Sequence, residues 1–111
     1  MDENNNSTEM IAMTLIANSG NARSLAFEAF NAVKEGNFEE AEKMLAEAEE
    51  SLAVAHKVQM DLLVSEANGE KTELGILLVH AQDHFMTSLL AFDMMKVIIE
   101  MQKKIMELEK R

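Results

Sequence analysis

Residues 76–108 read ILLVHAQDHFMTSLLAFDMMKVIIEMQKKIMEL, and the spacing of the apolar positions in this stretch decides the fold. At about 100° per residue, Ile76, Leu77, Leu90, Met94, Ile98, Met101, Ile105 and Leu108 fall along one side of a helix. Leu78, Phe85, Leu89 and Phe92 fall on roughly the opposite side. A helix apolar on two sides has to be buried on both. Two partner helices in a short chain cover one broad face, and the other calls for copies of the same chain. The competing arrangement, with two helices straddling this one and leaving nothing exposed, stays open on the sequence alone.

Working outward, turn signals fall at Glu35-Gly36-Asn37 and at Asn68-Gly69-Glu70-Lys71. Gly36 suits the left-handed position after a helix. Asn37 with Glu40 reads as an N-cap and capping box, and Thr72 as the next N-cap. The sequence therefore predicts helices over about 8–35, 38–67 and 72–110. They form one domain over residues 8–111, and residues 1–7 are expected to be a disordered tail. Ala41, Leu45, Ala48, Leu52, Ala55, Gln59 and Leu62 form a seam with alternating spacings of four and three, the coiled-coil pattern. In the first helix Ile11, Leu15, Ala22, Leu25, Ala29 and Val33 form a stripe. Asn18-Ser19-Gly20-Asn21 interrupts it, which predicts either a kink or a close approach. The fold class is all-α, an antiparallel three-helix bundle.

Composition excludes several functions. The 111 residues carry 20 Asp and Glu against 10 Lys and Arg, a net charge of −10, with no Cys and no Pro. Without Cys there is no disulfide framework, thiolate nucleophile or Cys–zinc site. The acidic balance is the wrong sign for nucleic acid, whose phosphates need Lys and Arg. No apolar run is long enough to span a bilayer, and the polar start is not a signal peptide. The expected location is cytoplasmic. The ten Met residues read as core filler at helical spacing.

Three polar residues interrupt the apolar stretch: His80, Asp83 and His84. With His80 as origin, Asp83 lies about 60° to one side, His84 about 40° to the other and Thr87 about 20° away. All project from one face. An unpaired buried carboxylate costs several kcal/mol, so this layer needs partners, a metal or solvent. It reads either as a polar layer that sets helix register or as a functional site. A zincin is excluded because Ala81, not Glu, follows His80. There is no nucleophile elbow and no phosphate-binding glycine loop. What remains is His as a nucleophile toward phosphorus, or His and Asp as metal ligands. Neutral imidazole suits reversible phosphoryl carriage. The different-class alternative is a non-catalytic oligomeric helical module with a structural or metal-binding polar layer at His80, Asp83 and His84.

The segment Val79-His80-Ala81-Gln82-Asp83-His84-Phe85-Met86-Thr87-Ser88-Leu89-Leu90 closely resembles the active-site helix of the lactose/cellobiose-type enzyme IIA family of the bacterial sugar phosphotransferase system. Asn18-Ser19-Gly20-Asn21-Ala22-Arg23-Ser24, Gly36-Asn37-Phe38 and Ala55-His56 with Gln59 resemble other motifs of that family, and the wording is nearest its chitobiose/cellobiose branch. The resemblance implies that His80 takes a phosphoryl group from the phosphohistidine carrier protein and passes it to a cysteine of enzyme IIB. The membrane subunit IIC imports the sugar. It also implies a homotrimer with coiled-coil-like packing, in which Asp83 of three subunits meets on the axis around a divalent metal such as Mg²⁺. His84 is expected in a supporting role only, and either His84, if protonated, or Gln82, Thr87 and Ser88 as donors would soften the charge of a phosphoryl group. Arg23 can reach a phosphate or pair with the acidic helix 2. His56 and Gln59 are candidates for partner contact or for structure.

Overall fold

The computed structural model describes residues 3–111, with side chains from Ser7 onward. Three helices follow one another: α1 (Glu3–Lys34), α2 (Phe38–Ala67) and α3 (Ile76–Glu109). They make an elongated up-down-up bundle measuring 63 × 24 × 20 Å. Helix α1 starts earlier than the expected residue 8. Residues 3–7 contain no Pro or Gly and the helix runs on through them, so the expected tail gives way there. Met1 and Asp2 lie outside the described residues.

Both turns are built by glycine. Gly36 and Gly69 take φ of 85° and 88°, which residues with a side chain rarely adopt. Around the first, Asn37 N donates to Ala32 O (2.8 Å) and Gly36 N to Val33 O (2.9 Å). Around the second, Glu70 N donates to Ser65 O (3.1 Å) and Gly69 N to Glu66 O (3.0 Å). Each pair is a Schellman motif, which satisfies carbonyls that the helix end leaves free. The expected caps differ. Asn37 precedes α2 but its side chain makes no capping bond, so there is no capping box. Thr72 is not a cap either, because the chain stays non-helical until Gly75, whose extended backbone opens α3.

Helix α1, not α3, is the central element. It packs along both neighbours, whereas α2 and α3 meet only over a short stretch. Its inward positions are Ala12, Leu15, Ser19, Ala22, Ala26, Ala29 and Val33, all fully buried. The spacing alternates three and four, and most of the side chains are small. Two helices can therefore lie close against one thin helix. Helix α2 answers with buried Ala41, Ala48, Leu52 and Ala55 from its predicted seam.

Helix α3 carries two seams. Leu78, Ala81, Phe85, Ser88, Phe92, Met95 and Ile99 are buried inside the subunit. On the opposite side Ile76, Leu90, Met94, Val97, Met101 and Leu108 are exposed, Ile76 by 90% and Met101 by 60%. His80, Asp83 and Thr87 complete this outward row, again at spacings of three and four. The arrangement in which α1 and α2 straddle α3 is thus overturned: the chain covers one face of α3 and leaves the other bare.

Phe85 is 2% exposed at the centre of the inward seam. Phe85→Ala should cost about 3–5 kcal/mol, read as a lower urea midpoint at fixed protein concentration.

Candidate functional site

The site begins with the backbone of α3, which presents His80 and Asp83 on the outward row, both exposed, with His84 half-buried toward α1. The two imidazoles are parallel, with ring centroids 6.0 Å apart and planes inclined by 7°. The structure thus brings His80, Asp83 and His84 together as the sequence places them. Among the described residues, no group of three His, Asp or Glu side chains converges within one chain to hold a metal ion. One chain therefore offers Asp83 as a single outward carboxylate.

The charge of His84 is set by its surroundings. Burial lowers its pKa below the ordinary 6.5, and the charges of Arg23 and His80 push the same way, with Asp83 opposing them. A positive charge on His84 is therefore disfavoured in this structure. Gly20 explains the fit of its ring: a Cβ built at Gly20 would stand 3.3 Å from His84 Nε2. The break in α1 is therefore a close approach, and α1 continues through it as helix.

The other candidates sort differently. Arg23 is exposed and exerts its charge on His84, and no ion pair joins it to α2 among the described residues. Thr87 Oγ1 donates to the backbone carbonyls of Asp83 (2.9 Å) and His84 (3.2 Å), so its proton is committed within the helix. Gln82 points to α2, where its Nε2 donates to Gln59 Oε1 at 3.4 Å, well away from His80. Ser88 is fully buried in the inward seam and offers nothing to an outward phosphoryl group. His56 sits at the α2–α3 groove with its ring 6.3 Å from that of Phe85, on the far side from His80.

Sequence reasoning missed the contact between Asn21 Nδ2 and Ser51 Oγ (2.9 Å), which ties α1 to α2 close to the site. It also missed that Ser19 and Ser88 bury hydroxyls without a partner. A small polar residue at a seam position was the available signal for both.

Residues 10–103 match the model of the phosphotransferase-system lactose/cellobiose-specific IIA subunit. The chain belongs to that family. It is 48% identical to the lichenan-specific phosphotransferase enzyme IIA component of Bacillus subtilis, over 93% of this chain and 94% of that protein. Its fold superposes on the crystal structure of the cellobiose-specific enzyme IIA from Bacillus anthracis with a TM-score of 0.87, at 41% identity over 96% and 94% of the two chains. It also matches the IIA(chitobiose) structure solved in complex with HPr from the Escherichia coli phosphotransferase system, with a TM-score of 0.76 at 41% identity over 88% and 95% of the chains. As a IIA subunit, the chain is a phosphotransferase component that works in a relay, which sets aside the non-catalytic helical module. Among the described residues no helix is long and apolar enough to cross a membrane.

The lowered pKa of His84 has a sign. The unfolded chain takes up a proton near pH 6.5 that the folded chain refuses, so this contribution to stability is complete above pH 6.5 and is lost as pH falls toward the folded value. An NMR titration should place the His84 midpoint below 6.5. Arg23→Gln should bring it only part of the way back, because burial is the larger cause.

Proposed function

We propose that His80 is the phosphoryl acceptor of this subunit, charged by the phosphohistidine carrier protein and discharged to a cysteine of the cognate enzyme IIB in the cytoplasm. The observation that carries this reading is the placement of His80: an exposed imidazole in the one polar gap of the outward seam of α3. A neutral ring nitrogen of His80 attacks phosphorus as the bond to the donor's imidazole breaks. Attack by the thiolate of enzyme IIB then releases His80 unchanged. The chain has no Cys of its own, so the cysteine step lies on another protein. The complex of the chitobiose relative with HPr supports the carrier protein as donor. The lichenan, cellobiose and chitobiose relatives favour a disaccharide of the cellobiose or chitobiose class, with lactose as the competitor, imported through the membrane subunit IIC.

The bare seam of α3 supports a homotrimer. Its heptad-like row suits packing against the same row of a second and third copy. Asp83 lies near the middle of that row. Three such carboxylates brought together repel one another, and a hard divalent cation such as Mg²⁺ both neutralises them and prefers oxygen ligands. The donor set fits a metal shared between subunits: Asp83 from each chain would hold it, and its charge would keep the three carboxylates ionised.

Two experiments test this. Incubation with enzyme I, the carrier protein and labelled phosphoenolpyruvate should give an acid-labile, base-stable label that His80→Ala abolishes without loss of helix content. Label that persists in His80→Ala would move the site to His84 or His56. In sedimentation equilibrium, a chelator should shift the protein toward monomer. Asp83→Leu, which removes the repelling carboxylates, should stay assembled with or without chelator. A wild-type assembly indifferent to chelator would remove Asp83 from the metal role.

A further inference from the structure

Gly20 stands in mid-helix, where alanine is the better helix former. Its backbone does not need glycine, since its φ is not positive. Nor is its bare Cα there to let another backbone approach. Beyond its own helix, the one atom that a Cβ at Gly20 would meet within 4 Å is Nε2 of His84, at 3.3 Å. That is tighter than the ordinary contact distance of about 3.5–4.0 Å between non-bonded heavy atoms. The space left by the missing side chain is therefore filled by one thing, the tip of the His84 imidazole. The plane of that imidazole lies parallel to the ring of His80 within 7°, with the centroids 6.0 Å apart. His84 thus links Gly20 on the central helix to His80 on the outward seam.

We infer that Gly20 is a positioning residue for phosphoryl transfer: its bare Cα seats the His84 ring, and that ring sets the orientation of His80. The inference rests on the reading of His80 as the acceptor. A methyl group at position 20 displaces the His84 ring by a few tenths of an ångström. The ring of His80 then loses the surface against which it is aligned. Small displacements of a reacting group are costly in rate even where the fold is intact.

The test is Gly20→Ala, made in the wild-type and in the His84→Ala background of the full chain. In the wild-type background the thermal midpoint should stay level or rise, because alanine is the better helix former. The maximal rate of phosphoryl acceptance from the carrier protein should fall by roughly tenfold, with the KM for the carrier unchanged. The His80 imidazole signals in ¹H–¹³C NMR should shift. In the His84→Ala background the same substitution should leave the His80 signals where they were, since the ring that transmits the effect is gone. An unchanged rate with unchanged His80 signals overturns the inference. So does an equal shift of the His80 signals in both backgrounds, which would make Gly20 a matter of helix packing alone. Should Gly20→Ala lose helicity, the double variant decides: recovery on removing the His84 ring supports the contact, and failure to recover overturns it. If the wild-type chain takes no label on His80, the proposed function falls, while the NMR arm still reads the seating of His84 by Gly20.

Discussion

The outward seam of α3 is the constraint on which the rest of the molecule depends. One helix carries two apolar rows on opposite sides, and a three-helix chain can bury only one of them. The inward row, from Leu78 to Ile99, is met by α1 and in part by α2. The outward row leaves Ile76, Leu90, Met94, Val97 and Met101 in contact with water. Each such side chain, fully buried, is worth about 1.5–3 kcal/mol, so the bare row is a strong drive toward association. His80 and Asp83 sit within that row and not beside it. Whatever covers the seam therefore also forms the surroundings of His80.

The thinness of α1 follows from the same constraint. Ala12, Ala22, Ala26 and Ala29 give it a slender profile against both neighbours. Alanine buries little apolar area, and few large side chains in this core are fully enclosed. The free energy available within one chain is correspondingly modest. An association that buried the second row of α3 would add to that stability and make it depend on protein concentration. The same slender helix provides the opening at Gly20 into which His84 fits, so the packing of α1 and the shaping of the site draw on one device.

The two faces of α3 and the seam of α2 could be read from sequence because helical spacing alone fixes them. Gly36 and Gly69 could be read as turns because almost nothing else tolerates their φ. The order of packing could not. An angular position says which side of a helix a residue occupies, not which neighbour lies there, so α1 rather than α3 proved central. For the same reason Gln82 met Gln59 on α2, and Ser88 faced the interior. Thr87 did lie on the expected face, but a helical threonine has a backbone carbonyl within reach of its hydroxyl, and that local bond took its proton. His84 was placed correctly, but the lowering of its pKa was not legible, because burial and the approach of Arg23 from another helix have no trace in local spacing.

That last difference bears on how the proposed relay stays reversible. A phosphoryl group on His80 brings up to two negative charges close to Asp83, in a chain whose net charge is already −10. A cationic His84 would offset them and hold the phosphohistidine in a deep well, making it a poor donor to the next protein. Burial and Arg23 oppose protonation of His84, so an added anion charges that ring only against their cost, and the well is shallower than an exposed histidine would make it. The remaining nearby cation, Arg23, is exposed, where solvent weakens its pull. The balance of burial against charge at His84 thus suits a subunit that must give up its phosphoryl group as readily as it accepts it.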